Sequence, residues 1–306
     1  MAVRVVTDQA PVEAPVVTGR RGTLVALGRA LTRNRKAVAG LSLFGFFVLV
    51  AILAAVIAPY DPHALAFNQM LQPSGAHLLG TTGTGQDIFS QLVFSTRESL
   101  LIALGAGLGA TVLAVIIGVS AAYLGGLSDH FLNLFTDVFL VMPTLPLMII
   151  IGTYLNNRGL LVLIGVIVIT GWSYGARQLR SQALALRNRE FLEAARVRGE
   201  RPLYIITFEV LPNMTSLIVA IFFGSALYAV LAAAGLQFIG LGDPNSLSWG
   251  TMLYWAQANG ALLAGSPVWV LAPGICIAAL GAAFALINYA FDEIGNPALR
   301  PVKRRR

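Results

Sequence analysis

The sequence predicts an all-α membrane protein: six transmembrane helices, one short charged helix outside the bilayer, and both termini on the same, cytosolic side. Three observations carry this. Of 306 residues 57% are apolar and only 11% charged, with a mean hydropathy of +0.75, a balance far outside the range of soluble domains. Polar and turn-forming residues divide the apolar sequence into six runs, near 37–58, 99–124, 131–156, 160–174, 213–236 and 267–289, on the scale of the roughly 20 residues a bilayer requires. Finally, of 21 lysines and arginines only Arg97 and Arg158 fall in the segments that six spans place opposite the termini. The positive-inside rule therefore puts the tails and the stretch from Arg177 to Arg201 in the cytosol.

Residues 1–36 read as a flexible tail that turns basic between Arg20 and Lys36. The run from Ala37 to Ala58 is too long for a signal-peptide core and is taken as a retained first span, stopped by Pro59 and Asp61-Pro62. Residues 59–97 are polar, with His63, His77 and the string from Gly80 to Asp87. The glycines suggest a phosphate loop, but no Lys-Ser or Lys-Thr follows. In the second span, Gly105 and Gly109 have the spacing that lets helices approach closely in lipid. The third run contains Pro143 and Pro146, which predict a kink, and Asp137 near its cytosolic edge.

The fourth run ends in Gly171-Trp172-Ser173-Tyr174-Gly175, the shape of a hydrolase nucleophile turn, yet His63, His77 and His130 all fall in predicted loops. Trp172 and Tyr174 are taken instead as an interfacial aromatic anchor. Asn213-Met214-Thr215 spells a glycosylation triplet on the cytosolic side, where it has no use. Residues 237–266 are almost uncharged and bear Trp249-Gly250, so they are expected to dip towards the membrane or cap a pore. The lone Cys276 excludes an intramolecular disulfide. The last segment, 291–306, ends in Lys303-Arg304-Arg305-Arg306, read as a juxtamembrane contact with anionic lipid rather than with nucleic acid.

The charged stretch from Asn188 to Pro212 stands apart. Asn188 is placed to cap a helix with Glu190 and Glu193 in its first turns and Arg196 and Arg198 in its last, each sign complementing the helix dipole. Gly199 ends it and Pro202 follows. Ala194 and Ala195 form a small smooth patch, and Phe191 and Leu192 supply apolar contact. Two readings fit: a docking helix for another protein, or a solvated hairpin with ordinary charge pairs.

Glu193-Ala194-Ala195, then Gly199, then Leu211-Pro212, resembles the EAA loop of permease subunits of ABC-type importers, in the branch that handles oligopeptides, dipeptides and nickel. Glu209 departs from the basic residue usual three positions before the proline. The string GTTGTGQDIFSQ resembles the segment leading into that family's second span, with Thr82, Gln86 and Gln91 in place of charged residues. QFIGLGDPNSLSWG resembles the segment between its last two spans.

The resemblance implies a permease domain over 37–290 in a bacterial inner membrane, forming half of a translocation pore for peptides or related solutes. Its loop implies a coupling helix in which Glu190, Phe191, Glu193, Ala194, Ala195, Gly199, Leu211 and Pro212 meet the ATPase. The implied partners are a second homologous permease, two cytosolic ATPases that bind ATP and magnesium, and an extracytoplasmic substrate-binding protein. No cofactor is expected in this chain, and no catalysis. Two other readings remain at this point. A self-sufficient secondary transporter needs ionisable residues within its spans, and Asp137 is the only candidate; an intramembrane serine hydrolase rests on Ser173 alone.

Overall fold

The computed structural model describes residues 34–155 and 158–295, so most of the expected tails at 1–36 and 291–306 lies outside the described residues. Among these residues the chain is helical, and four helices are each long and apolar enough to cross a membrane. They are α1 (Arg35–Ile52), α2 (Ile88–Leu124), α8 (Thr215–Phe238) and α10 (Val268–Gly295). Two apolar helix pairs, each bent at a short break, bring the candidate crossings to six when each pair is counted as one: α3 (Gly126–Val141) with α4 (Thr144–Tyr154), and α5 (Leu160–Gly171) with α6 (Ser173–Arg187). Two short helices, α7 (Glu190–Val197) and α9 (Trp249–Ala258), lie in the connections before and after α8.

The largest departure from the sequence reading is α2, which begins at Ile88 rather than near Ser99 and runs for 37 residues. At 1.5 Å per residue it is about 55 Å long, well beyond a hydrocarbon core of about 30 Å. Its first turns, expected as loop, are anchored by internal hydrogen bonds. Asp87 caps the helix by accepting from the Ser90 N–H at 2.8 Å and the Ser90 hydroxyl at 2.7 Å. The other Asp87 oxygen meets buried His77 Nδ1 at 3.0 Å, and that ring packs against Tyr60 and Phe67. Asp87→Ala removes both the cap and the partner of a buried imidazole, a loss of about 2–4 kcal/mol from the two effects together. We expect a lower unfolding midpoint for the purified variant in detergent; an unchanged melting curve contradicts this account.

The glycine string forms turns, not a phosphate cradle, because most of its amides are occupied. Thr82 N–H bonds Gln86 O, Gly85 N–H bonds Thr82 O, and the Thr82 hydroxyl accepts from the Gln86 N–H. Gln91 donates to Gln86 Oε1 at 2.8 Å, so neutral amides join the positions where the resembling family carries charge.

The third crossing turns by 90° between α3 and α4 instead of kinking. Met142, extended as a residue before proline tends to be, and Pro143 form the corner, while Pro146 sits harmlessly in the first turn of α4. The fourth crossing bends by 45° at Trp172 and continues to Arg187, past the expected end at 174. Residues 173–187 contain charge but keep a helical stripe of Ala176, Leu179 and Ala183 turned inward. Trp172 is buried at the break and packs on Phe135 and Phe139 of α3, which corrects its assignment as an interfacial anchor. Tyr174 is exposed.

The bundle centres on α2, whose most extensive neighbours are α6 and α8; α8 packs on α10, and α10 on α1. Small residues permit these approaches. A Cβ at Gly107 would lie 3.0 Å from the Ala226 backbone of α8, and one at Gly118 would overlap the Ala176 carbonyl oxygen of α6. Gly105 and Gly109 face Ile164 and Val168 of α5. The connection 237–266 folds around α9, whose Trp249 is fully buried: its backbone N–H donates to Ser99 Oγ and its Nε1 to Leu92 O, both on α2.

The two ends of the bundle differ in charge. One carries Lys36, paired with Glu293 at 2.7 Å, together with the basic stretch around α7. At the other, Arg97 donates to the carbonyl of Ala51 near the end of α1, and Arg158 to Gly240 O.

Candidate functional site

The charged stretch forms a short helix lashed to the basic end of the bundle. Asn188 ends α6 instead of starting α7, and Arg189 takes the cap position with no side-chain bond. The Asn188 assignment is therefore corrected: it lies one residue too early to reach the first free amides. Glu190 and Glu193 still occupy the first turn and Arg196 the last, as the helix dipole favours.

The end at Gly199 is a Schellman turn. Glu200 N–H bonds Ala195 O at 3.2 Å, Gly199 N–H bonds Arg196 O at 2.9 Å, and Gly199 has a φ of 78°. No atom lies within 4 Å of a Cβ built there, so glycine is required by the backbone conformation and not by crowding.

The helix has two faces. Leu192 and Ala195, both 0% exposed, belong to a cluster with Leu179 and Ala183 of α6 and with Ile205, Val210 and Met214 beyond the turn. Glu190, Phe191, Glu193, Ala194 and Val197 are exposed, Val197 by 88%. The expected patch of Ala194 with Ala195 is thus divided: Ala194 looks out and Ala195 seats the helix, because residues one apart on a helix point about 100° apart. Val197, which the sequence reading passed over, extends the outward stripe; its signal was its i+3 spacing from Ala194.

Two arginines fasten this helix to α2. Arg196 donates to Arg187 O at 3.0 Å and lies over the Tyr123 ring, 5.7 Å from its centre. Arg187 in turn donates to Ala122 O at 3.4 Å and rests against Gly125, placing a cation at the carboxyl end of α2.

Beyond Pro202 the backbone widens into a π-helical turn, Ile205–Val210, just before Leu211-Pro212. Pro212 has no N–H to continue an α-helix, and the Leu211 N–H reaches back five residues to Ile206 O. Leu211 is half-buried against the same cluster and Pro212 is exposed.

Beside this assembly lies a cleft of ≈ 860 Å³ between α3, the α5–α6 break, α8 and α10. Its wall includes Ser173, Arg177, Ser181, Tyr228, Asn288 and Asp292. The sequence reading considers Ser173 as a nucleophile without adopting it and names no pore-lining residue. Two ion pairs join α3 to α6 nearby: Asp129 with Arg180, a forked pair at 2.6 and 2.8 Å, and Asp137 with Arg177. The signal available in the sequence was one aspartate just before the third predicted span and one within it, matched by two arginines shortly after the fourth.

Residues 114–294 match the family described as binding-protein-dependent transport system inner membrane component, which covers more than half of the chain. The chain belongs to that family. It is an ABC importer permease. Residues 27–73 match the N-terminal TM domain of oligopeptide transport permease C.

Full-length relatives agree. The permease is 32% identical over 288 residues to the oligopeptide transport system permease protein OppC of Mycobacterium tuberculosis, covering 93% of this chain and 97% of that one. It is 33% identical to a putative peptide transport system permease protein of Brucella abortus, covering 92% and 94%. It is 30% identical to the dipeptide transport system permease protein DppC of Alkalihalophilus pseudofirmus, covering 89% of each.

The permease is accordingly a multi-pass protein of a bacterial inner membrane and the non-catalytic component of its transport system. Ser173 is a buried wall residue at the start of α6, and the hydrolase reading falls. So does the self-sufficient transporter, since the family works as part of a multi-component system.

Proposed function

We propose that this permease forms half of an ATP-driven import pore for peptides, with its basic end in the cytosol. A second homologous permease completes the pore, two cytosolic ATPases bind ATP and magnesium below it, and an extracytoplasmic binding protein delivers substrate to the opposite end. Peptides are favoured as cargo by the names of the relatives, which concern oligopeptide, dipeptide and peptide transport. The distribution of lysine and arginine supports the orientation.

One observation carries the coupling role of α7: it is fixed on its inner face by Leu192 and Ala195 and unpartnered on its outer face. A surface helix held this firmly, yet presenting Phe191, Ala194 and Val197 to solvent, suits a groove in another protein. Within the EAA-like stretch, Glu190, Phe191, Glu193 and Ala194 then make the contact. Ala195 and Gly199 set the helix's position, and Leu211 and Pro212 shape the return to the membrane. Closure of the ATPases moves α7, and α7 moves α2 and α6 through Arg196 and Arg187.

The test is disulfide or bismaleimide cross-linking from Val197→Cys, in a chain with Cys276→Ser, in native membranes of the source bacterium. We expect a product containing a nucleotide-hydrolysing subunit, and labelling of Val197→Cys only from the cytosolic side. Labelling from outside intact cells, or cross-links confined to other membrane chains, rejects the assignment.

A further inference from the structure

The two aspartate–arginine pairs between α3 and α6 are built differently, and the difference points to a role for one of them. Asp129 and Arg180 form a two-pronged bond with side chains only 20% and 27% exposed, a closed structural clamp. Asp137 and Arg177 are 39% and 54% exposed, and Arg177 makes its bond through Nη2 alone. Arg177 also lines the ≈ 860 Å³ cleft. A guanidinium carries five donors in a planar fork matched to a carboxylate, so most of this one is uncommitted.

An arginine with spare donors on the wall of a cleft is placed to meet a passing anion. The rest of the polar wall includes Gln178, Ser181, Gln182, Tyr228 and Asn288, with one carboxylate, Asp292. Asn288, another wall residue, donates to Ala220 O on α8. Such a wall offers hydrogen bonds to peptide amides without selecting a side chain, and one cation to the group every free peptide shares.

Resting on the peptide reading above, we propose that Arg177 receives the terminal carboxylate of a peptide passing through the cleft, with Asp137 as the internal carboxylate that the peptide displaces. The exchange swaps one charge-assisted bond for another, so the arginine is never left unpaired. Asp137 keeps Arg177 oriented at rest and competes with cargo for it.

The experiment is uptake of alanine peptides of two to five residues by cells carrying the complete transport system, with the chromosomal copy of this permease replaced by variants of matched membrane abundance. Arg177→Gln is expected to lower uptake at least tenfold and Arg177→Lys to lie between it and the wild type. Asp137→Asn removes the competitor and is expected to lower the half-saturating peptide concentration threefold or more. A purely structural bridge requires the opposite: Arg177→Gln and Asp137→Asn losing uptake alike. That result, or undiminished uptake in Arg177→Gln, overturns the proposal while leaving the peptide reading intact. If Arg177→Gln fails to accumulate, Asp137→Asn decides alone, since any loss of uptake there refutes the competition. Failure of the wild-type system to take up any of these peptides overturns the peptide reading, and the role of Arg177 with it.

Discussion

A permease carrying Gly118→Val is expected not to accumulate in the membrane. At this position α2 crosses α6 so closely that even a Cβ would overlap the Ala176 carbonyl oxygen and lie 3.0 Å from the Ala176 Cα. The obstacle is backbone, which cannot rotate aside as a side chain does. Overpacking against a yielding core costs about 1–3 kcal/mol, and a rigid contact between two helices at the centre of the bundle falls at or above the top of that range. Valine at Gly45, where nothing lies within 4 Å, is the matched control and is expected to be neutral. Immunoblots of the membrane fraction check both; normal levels of the Gly118→Val chain contradict the packing described for α2.

Glu193→Lys combined with Ala194→Arg is expected to abolish peptide uptake while the chain inserts and assembles normally. Both side chains face outward from α7, so the changes leave the buried seat of Leu192 and Ala195 untouched. Two large cations replace an acid and a methyl group on the face proposed to meet the ATPase. Losing a central contact of this kind costs on the order of 2 kcal/mol or more, about thirtyfold in affinity. ATP hydrolysis by the complex, measured beside uptake, is expected to persist without transport. Ala195→Leu gives the contrast: because Ala195 is fully buried, it reduces the amount of folded chain and not merely its coupling. Coupled uptake in the double variant, at wild-type rate, removes α7 from the proposed contact.

The crossings were legible in the sequence because uncharged runs of sufficient length have few other uses, and the family was legible in Glu193-Ala194-Ala195 with Gly199. Two kinds of information were not. Residues 88–98 look like loop, since Ser90, Gln91, Ser95, Thr96, Arg97 and Glu98 interrupt the apolar residues, yet they continue α2, capped by Asp87 and bonded by Trp249. The facing of Ala194 and Ala195 was equally hidden, as two adjacent alanines have the same composition and opposite burial. The cleft and its Arg177 depended on the 90° corner at Met142-Pro143, an angle that a proline announces but does not set.

The length of α2 has a mechanical consequence. From its cap at Asp87 to its end at Leu124, beside Arg187 and Arg196, it is one helix with no proline and no break, whereas α3–α4 and α5–α6 are each hinged part-way. A stiff strut of this kind stores little bending on the way, so a tilt imposed at the foot arrives at the head as an opposite swing. Such a tilt would travel from the Leu124 end to the Asp87 end without any relay of side chains between them.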